Sequence, residues 1–443
     1  MSLKRGIFFT LLTQAPTLIL FFAASTFMTR ILGDEGRGAY TLLNNLVILL
    51  SVLLWLNLGA GLTYFTSRSG KAEHDVIGTA ATMLLLVLIV LPVILFAIRG
   101  SASLNRIFWP GSAEHWGYYG FVVASVFLSI LQSTVTAILL GLKQFRILNI
   151  MAVSNAVLSA SGFLLLFLFI QDRGTVSTLP WVLGAQFAIL LLLTLGWCVV
   201  YSLYVRIIPR PIMQWEKLKP ILFFSGVGYL SIVLNLINYR FDVWVVDKYN
   251  GTAALGLYAV AVGLGQLLFN VSEPFSRVVQ PFLYGQKREE MMDRYRMIAR
   301  VNFTVTAALA LFIGIVAPIV VPLLFGATFA GSVAALRLLL PGIVFSSATK
   351  FLAGLVVQRG YQKFNLYATM VGAIITIVLD LLLIPIWGIL GAAIASTLSY
   401  LAILIVVLTT IENKIGLSTR DLFFITFSDV QQLRKKLPWR IAE

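Results

Sequence analysis

Charge is scarce in this sequence, and acid is scarcer than base: of 443 residues 12% are charged, 18 of them Asp or Glu against 33 Lys or Arg. The one cysteine, Cys198, lies inside an apolar run, which excludes a disulfide framework. The two histidines, His74 and His115, sit in connecting segments that fall on opposite sides of the bilayer in the topology derived below. That removes a His-based metal cluster and any Cys-His or Ser-His-Asp constellation. A phosphate-binding loop is missing too. Its nearest imitation, Gly70-Lys71, is followed by Ala72 and has Phe65 where the first glycine is needed, so no ATPase is expected.

Apolar residues fill the space that charge leaves. They make up 59% of the chain, the mean hydropathy is +0.93, and several uninterrupted runs exceed the roughly 18 residues that a spanning helix needs. A net charge of +15 would suggest nucleic acid for a soluble protein; for a membrane protein it asks which side carries the cations, and no nucleic-acid partner is expected. Lys4-Arg5 and the apolar stretch after them imitate a signal peptide, but the stretch is too long and reads as the first span.

Hydropathy and punctuation place spans at 7–29, 39–66, 76–98, 116–140, 147–170 and 180–205, then at 220–247, 253–283, 301–325, 334–357, 364–386 and 388–411. Pro16, Pro92, Pro274, Pro318 and Pro322 predict kinks inside them. The two sets of six are echoes of one unit. Gly33, Gly38 and Tyr40 in ILGDEGRGAY recur as Gly251, Gly256 and Tyr258, an offset of 218 with no insertion. Phe145 and Asn149 recur as Tyr361 and Asn365, and Leu183-Gly184-Ala185 as Leu390-Gly391-Ala392, at offsets of 216 and 207. The repeated glycines read as a tight outer turn that seats the following helix.

With the N-terminus in the cytoplasm, 23 Lys and Arg fall on the cytoplasmic side and 7 on the other, leaving Arg240, Arg277 and Lys350 within spans. The positive-inside rule therefore puts both termini in the cytoplasm. Six spans per repeat is an even number, so the halves insert in one orientation, related by a pseudo-two-fold axis along the membrane normal. The expected fold is an all-α integral membrane protein with twelve transmembrane helices in two pseudo-symmetric six-helix lobes, 1–210 and 211–411, around a central cavity. A basic amphipathic tail, 412–443, follows; Arg434, Lys435 and Lys436 suit either an interfacial helix on anionic lipid or a solvated topology anchor.

Polar residues inside spans carry the functional signal, because a charge facing lipid at mid-membrane costs about 2.5–3.5 kcal/mol on insertion scales. In span eight Gln266, Asn270, Glu273 and Arg277 fall at i, i+4, i+7 and i+11, within one narrow arc. In span seven Ser231, Asn235, Asn238 and Asp242 repeat that spacing, and span eleven has a weaker stripe with Asn365, Thr369, Thr376 and Asp380. Glu273 and Arg277 also suit a buried i,i+4 ion pair. Arg240, two residues from Asp242, falls on nearly the opposite helix face, so either it snorkels outward or the helix bends to bring both inward. Lys350 lies about eight residues inside the cytoplasmic end of span ten, and Arg30 and Arg37 flank the opening turn at the outer interface, where headgroup contacts are the ordinary use of Arg. Cations at several depths suit phosphate, and interleaved amides and hydroxyls suit sugar.

The order of ILGDEGRGAY, LNLGAGLTYF, the segment Gly141 to Asn149 and ILGAAIASTLSYL, together with the twelve spans and the duplication, resembles the polysaccharide and O-antigen flippase branch of the multidrug/oligosaccharidyl-lipid/polysaccharide exporter superfamily. The resemblance covers nearly the whole chain. It implies two six-helix lobes in a V around a cationic cavity, working by alternating access on a polyprenyl-pyrophosphate-linked glycan in a bacterial inner membrane. The related peptidoglycan-precursor flippases usually have fourteen spans. Drug antiporters of the superfamily commonly have a carboxylate in span one, whereas residues 7–29 contain no acid.

The expected activity is therefore transport, without catalysis or cofactor: a lipid-linked oligosaccharide moves from the cytoplasmic to the outer leaflet for cell-surface polysaccharide biosynthesis. Lys350, Arg277, Arg240 and Arg30 are expected on the diphosphate side of the substrate, with Asn270, Gln266, Asn235 and Asn238 on the glycan. Glu273, Asp242 and Asp380 pair with those cations or bind a coupling ion, H+ or Na+; coupling to the membrane potential is the other route. Expected partners are the substrate, membrane lipids and other polysaccharide-assembly proteins. A drug/cation antiporter and a membrane-embedded glycan polymerase or ligase are the alternatives. The longest outer loop, 99–115, offers Arg99, Arg106, Glu114 and His115 for the latter.

Overall fold

In the computed structural model the described residues are 3–110, 116–171, 178–283, 288–427 and 429, and among them the secondary structure is helical, with no strand. Twelve α-helices follow one another: α1 Leu3–Trp55, α2 Leu58–Ser69, α3 His74–Gly100, α4 Ala102–Phe108, α5 Trp116–Gly141, α6 Phe145–Gln171, α7 Leu179–Tyr204, α8 Trp215–Asn250, α9 Thr252–Leu283, α10 Arg288–Phe325, α11 Ser332–Gln358 and α12 Gln362–Thr410. Helices of 26 or 27 residues, such as α3, α5, α6, α7 and α11, are roughly 40 Å long at 1.5 Å per residue, enough to cross the hydrocarbon core.

Among the described residues nine helices are long and apolar enough to cross a membrane, and α8, bent by 45° between Gly226 and Gly228, is the tenth. Two of these are double length. Non-helical backbone at Gly33 (φ 66°, ψ −171°) divides α1, and Gly388 (φ 59°, ψ −136°) divides α12. Counting each half separately gives twelve segments, a number consistent with the twelve spans expected from sequence. Only glycine takes such positive φ without steric cost, so these residues set where the chain turns between spans.

The protein is a multi-pass membrane protein, and its surface says so directly. Leu85, Leu86, Ile89, Val93 and Phe96 line an exposed face of α3, and Leu311, Phe312, Ile315, Ile319 and Leu323 line one of α10. Apolar faces of that extent belong against lipid rather than water.

The chain packs as two units, Met1–Ala259 with Leu324–Phe329, and Val260–Leu323 with Ala330–Glu443. In the first, Leu43, Leu46 and Leu50 of α1 interlock with Val122, Val126 and Ile130 of α5, Phe163 of α6 and Val182 and Leu193 of α7. Helix α8 packs on α1, α2 and α3 of the same unit. The segment before α8 is held by Thr82, whose Oγ1 donates to the Ile212 carbonyl at 2.7 Å and accepts from the Ile212 N–H at 2.8 Å.

In the second unit α11 and α12 form the main pair, and a cluster around Tyr295, Phe351, Leu355, Val407 and Ile411 closes it. The segment following α12 docks there as well. Arg300 of α10 grips Asp429 bidentately, Nε to Oδ2 at 2.7 Å and Nη2 to Oδ1 at 2.6 Å, while Phe303 packs edge-on against Phe423 and Phe424. Burial alone would raise the Asp429 carboxyl; hydrogen bonds from Arg300 and Thr426, with the Arg300 charge, outweigh it and hold the carboxyl below the usual carboxylate range. Arg434, Lys435 and Lys436 of the tail lie outside the described residues.

The repeat is visible in the backbone. Gly251 (φ 84°, ψ 168°) takes the conformation of Gly33, its counterpart 218 residues earlier. A Cβ built on Gly38 would overlap the Thr252 carbonyl, and one built on Gly256 would overlap the Asp34 carbonyl. Residue 252 is the counterpart of 34, as 256 is of 38, so a single contact is made twice in reciprocal form.

Candidate functional site

The first unit holds a cavity of about 1170 Å³ whose walls come from α2, α5, α6, α7 and the start of α8. Its position follows from a local irregularity. Leu56 and Asn57 have positive φ (51° and 55°), which ends α1 and starts α2 in a new direction. Asn57 is held there by its own side chain, Nδ2 donating to the Ser225 carbonyl at 3.0 Å. Helix α2 then approaches α5 closely: Thr63 Oγ1 donates to the Ala137 carbonyl at 3.0 Å, and a Cβ on Gly141 would stand 2.7 Å from Cβ of Thr66.

One wall is a polar stripe on α5. Ser129, Gln132, Ser133 and Thr136 fall at i, i+3, i+4 and i+7, and Asn155 of α6 stands with them in the lining. Gln132 is oriented from behind: its Nε2 donates to Thr194 Oγ1 at 2.8 Å and to the Leu190 carbonyl at 3.2 Å, which commits its N–H groups and leaves the amide oxygen as its acceptor for a ligand. Ser133 donates to the Ser129 carbonyl at 2.8 Å and keeps its lone pairs. Aromatic side chains share the lining. Tyr64 and Phe224 stack with centroids 4.3 Å apart and planes 17° apart, and Trp55 and Trp197 complete the lining. Arg68 is the cation of this lining, and among the described lining residues there is no carboxylate. Such a surface can accept hydroxyl hydrogen bonds, present flat apolar faces to a pyranose ring and hold one negative group.

The residues expected from sequence are distributed over both units. In the first, Asp242 is buried on α8; its Oδ2 accepts from the Tyr258 hydroxyl at 2.5 Å and its Oδ1 from the Val243 N–H at 2.9 Å. Arg240 is half-buried and within electrostatic reach of Asp242, and its backbone carbonyl accepts from Asn45 Nδ2 at 3.3 Å. Asn238 is buried, whereas Asn235 is exposed and donates to the Ser231 carbonyl at 2.8 Å. Exposed Arg30 donates through Nε to the Leu324 carbonyl at 2.6 Å, a side-chain cap on the last turn of α10.

In the second unit Lys350 is exposed on α11, with Nζ 4.1 Å from the centroid of the Phe269 ring of α9. Gln266, half-buried, is one turn of α9 before Phe269. Asp380 is fully buried on α12, one turn from Thr376, which donates to Ser399 Oγ at 2.8 Å. The side chains of Asn270, Glu273 and Arg277 lie outside the described residues.

Sequence reasoning missed the pocket wall. Its signal was present, since the stripe at Ser129, Gln132, Ser133 and Thr136 has the helical spacing of the stripes in spans seven and eight, but it contains no charge and so did not stand out by desolvation cost. Tyr258 was visible only as a marker of the repeat, yet it satisfies the buried Asp242 carboxylate.

The described helices form a multi-pass membrane fold, and solved structures share it. The chain is similar to a lipid II flippase, MurJ, in an inward closed conformation (TM-score 0.68, 14% identity, covering 95% of this chain and 92% of that one). It is also similar to an inward-facing multidrug resistance MATE family transporter of the MOP superfamily (TM-score 0.65, 17% identity, covering 90% and 94%) and to a MOP superfamily transporter from Pyrococcus furiosus described as having a binding pocket of reversed polarity (TM-score 0.58, 17% identity, covering 93% and 96%). By sequence no curated protein matches. Residues 27–334 match the polysaccharide biosynthesis protein family, and the chain belongs to that family.

Proposed function

We propose that this protein is a flippase that moves a polyprenyl-pyrophosphate-linked oligosaccharide from the cytoplasmic to the outer leaflet of a bacterial inner membrane by alternating access. The observation that carries this reading is the pocket of the first unit, lined by hydroxyls and amides together with stacked aromatics, with no carboxylate among its described lining residues. That chemistry suits a glycan headgroup, and membership of the polysaccharide biosynthesis family supports it. A drug/cation antiporter shares the fold, but the pocket offers a cation Arg68 rather than an acid.

In this reading the prenyl tail stays in lipid while the headgroup enters the protein. Lys350 and Arg277 hold the diphosphate with Arg240, and Arg30 contributes at the outer end. In the pocket Ser129, Gln132, Ser133 and Asn155 contact the glycan; Gln266, Asn270, Asn235 and Asn238 are further glycan contacts outside its lining, and Glu273, Asp242 and Asp380 pair with the cations or bind a coupling H+ or Na+. Both termini are cytoplasmic, and other polysaccharide-assembly proteins supply and consume the lipid-linked glycan. The test is a double variant, Lys350→Gln with Arg277→Gln, in proteoliposomes. Loss of flipping with retained thermal stability is expected; full transport by the double variant would overturn the assignment of the diphosphate site.

A further inference from the structure

A second cavity lies between α10 and α11 within the second unit, and its chemistry is the opposite of the first. It is a groove of about 520 Å³ with Ala307, Ala310, Leu311 and Gly314 on one side and Leu340, Val344 and Phe345 on the other, and Arg337 is the charged residue among its described lining. Small residues on α10 create the space. At Gly314 a Cβ would stand 3.3 Å from Leu340 Cδ1, so the absence of a side chain there keeps the groove open between the two helices.

Arg337 is placed at one end. It lies five residues into α11 from Ser332, about 7–8 Å along the axis at 1.5 Å per residue, and Phe345 lies eight residues further, about 12 Å deeper. That places Arg337 in the first third of α11, from which a long Arg side chain can reach up to the headgroup region while the trough runs toward the middle of the helix. The guanidinium is oriented by its Nε, which donates to the Gly314 carbonyl at 2.9 Å. Among the described residues that carbonyl is its hydrogen-bond partner, so both Nη groups are available to a forked anion. On the α10 side Leu311 and Ile315 are about two-thirds exposed, so that rim of the groove is open to lipid.

We infer that this groove is a binding site for one anionic phospholipid, its phosphate on Arg337 and one acyl chain in the trough between α10 and α11. Charge complementarity selects the occupant. Among the described lining residues there is a cation and no acid, so a headgroup with net negative charge, such as phosphatidylglycerol, is favoured over a zwitterionic one with the same chains. The inference rests on the fold alone and stands or falls separately from flippase activity.

The experiment uses the purified full chain in detergent, titrated with phosphatidylglycerol or phosphatidylcholine of identical acyl chains and read by native mass spectrometry. Wild type is expected to bind phosphatidylglycerol several-fold more tightly than phosphatidylcholine. Arg337→Gln brings the ratio to near unity, Arg337→Lys keeps part of it, and Ala307→Phe, which fills the trough, weakens both lipids while leaving the ratio. An unchanged preference in Arg337→Gln, or equal affinity for the two lipids in wild type, overturns the proposal. So does a polyprenyl phosphate that displaces phosphatidylglycerol at equal concentration through the same Arg337, since the groove would then be a substrate-tail site.

Discussion

Gly38 and Gly256, one repeat apart, meet where α1 and α9 cross, so closely that a Cβ on Gly256 would stand 3.1 Å from the backbone nitrogen of Gly38. Each glycine also lies under a backbone carbonyl of the other helix, Gly38 under Thr252 and Gly256 under Asp34. Backbone cannot yield as a flexible side chain can. Either substitution, Gly38→Ala or Gly256→Ala, is therefore expected to destabilise by ~1–3 kcal/mol or more through overpacking. Gly120→Ala is the control, because a Cβ there meets nothing within 4 Å. Thermal melts in detergent should show the first two well below wild type and the control at or above it; equal melts for all would remove the crossing contact as the reason for these glycines.

Asp242 and Tyr258 make a second pair across the turn at Gly251. Removing the hydroxyl takes a donor from a buried carboxylate, so Tyr258→Phe is expected to cost ~1–3 kcal/mol, the usual penalty for a buried polar group left short of a partner. Asp242→Asn/Tyr258→Phe should cost less than the sum of the two single changes. Additive melts would show that the bond contributes nothing to the fold.

The Arg300–Asp429 clamp predicts a pH dependence with a definite sign. The Asp429 carboxyl is held below its ordinary value, so its contribution is complete above the unfolded value of about 3.9 and is lost as pH falls below that toward the native one. A spin label at Phe427→Cys, in a Cys198→Ser background, should be immobile at neutral pH and mobile in strong acid. With Arg300→Gln it should be mobile throughout. An immobile label in both cases would show that other contacts hold the segment.

The all-helical membrane-spanning fold and the duplicated glycine turn were legible in the sequence because both are local properties. Twenty apolar residues suffice to mark a span, and a glycine at Gly33, Gly38, Gly251 or Gly256 marks backbone geometry that other residues resist. The pocket was not legible, for two physical reasons. Its wall is uncharged, and its existence depends on left-handed backbone at Leu56 and Asn57; Asn favours that conformation more than most residues, but one Asn beside a Leu inside an apolar run does not mark a break. The pairing of Asp242 with Tyr258 was hidden for a related reason: it joins residues 16 apart on two helices, and helical periodicity relates only residues on the same one. Charge drew attention to Glu273 and Arg277, whose side chains lie outside the described residues.

Transport of the proposed substrate itself is the most direct measurement. Purified protein in proteoliposomes, given a polyprenyl-pyrophosphate-linked oligosaccharide and an outside-only glycan label, should expose substrate at a protein-dependent rate. Gln132→Leu, which removes the acceptor facing the pocket and leaves Thr194 without its donor, should slow flipping about fivefold or more, in line with ~1 kcal/mol or more for a lost hydrogen bond to substrate. Tyr64→Ala, which removes the stacked face against Phe224, should slow it further while the melt stays within a few degrees of wild type. No protein-dependent flipping, or full-rate flipping by both variants, would contradict passage of a glycan through this pocket.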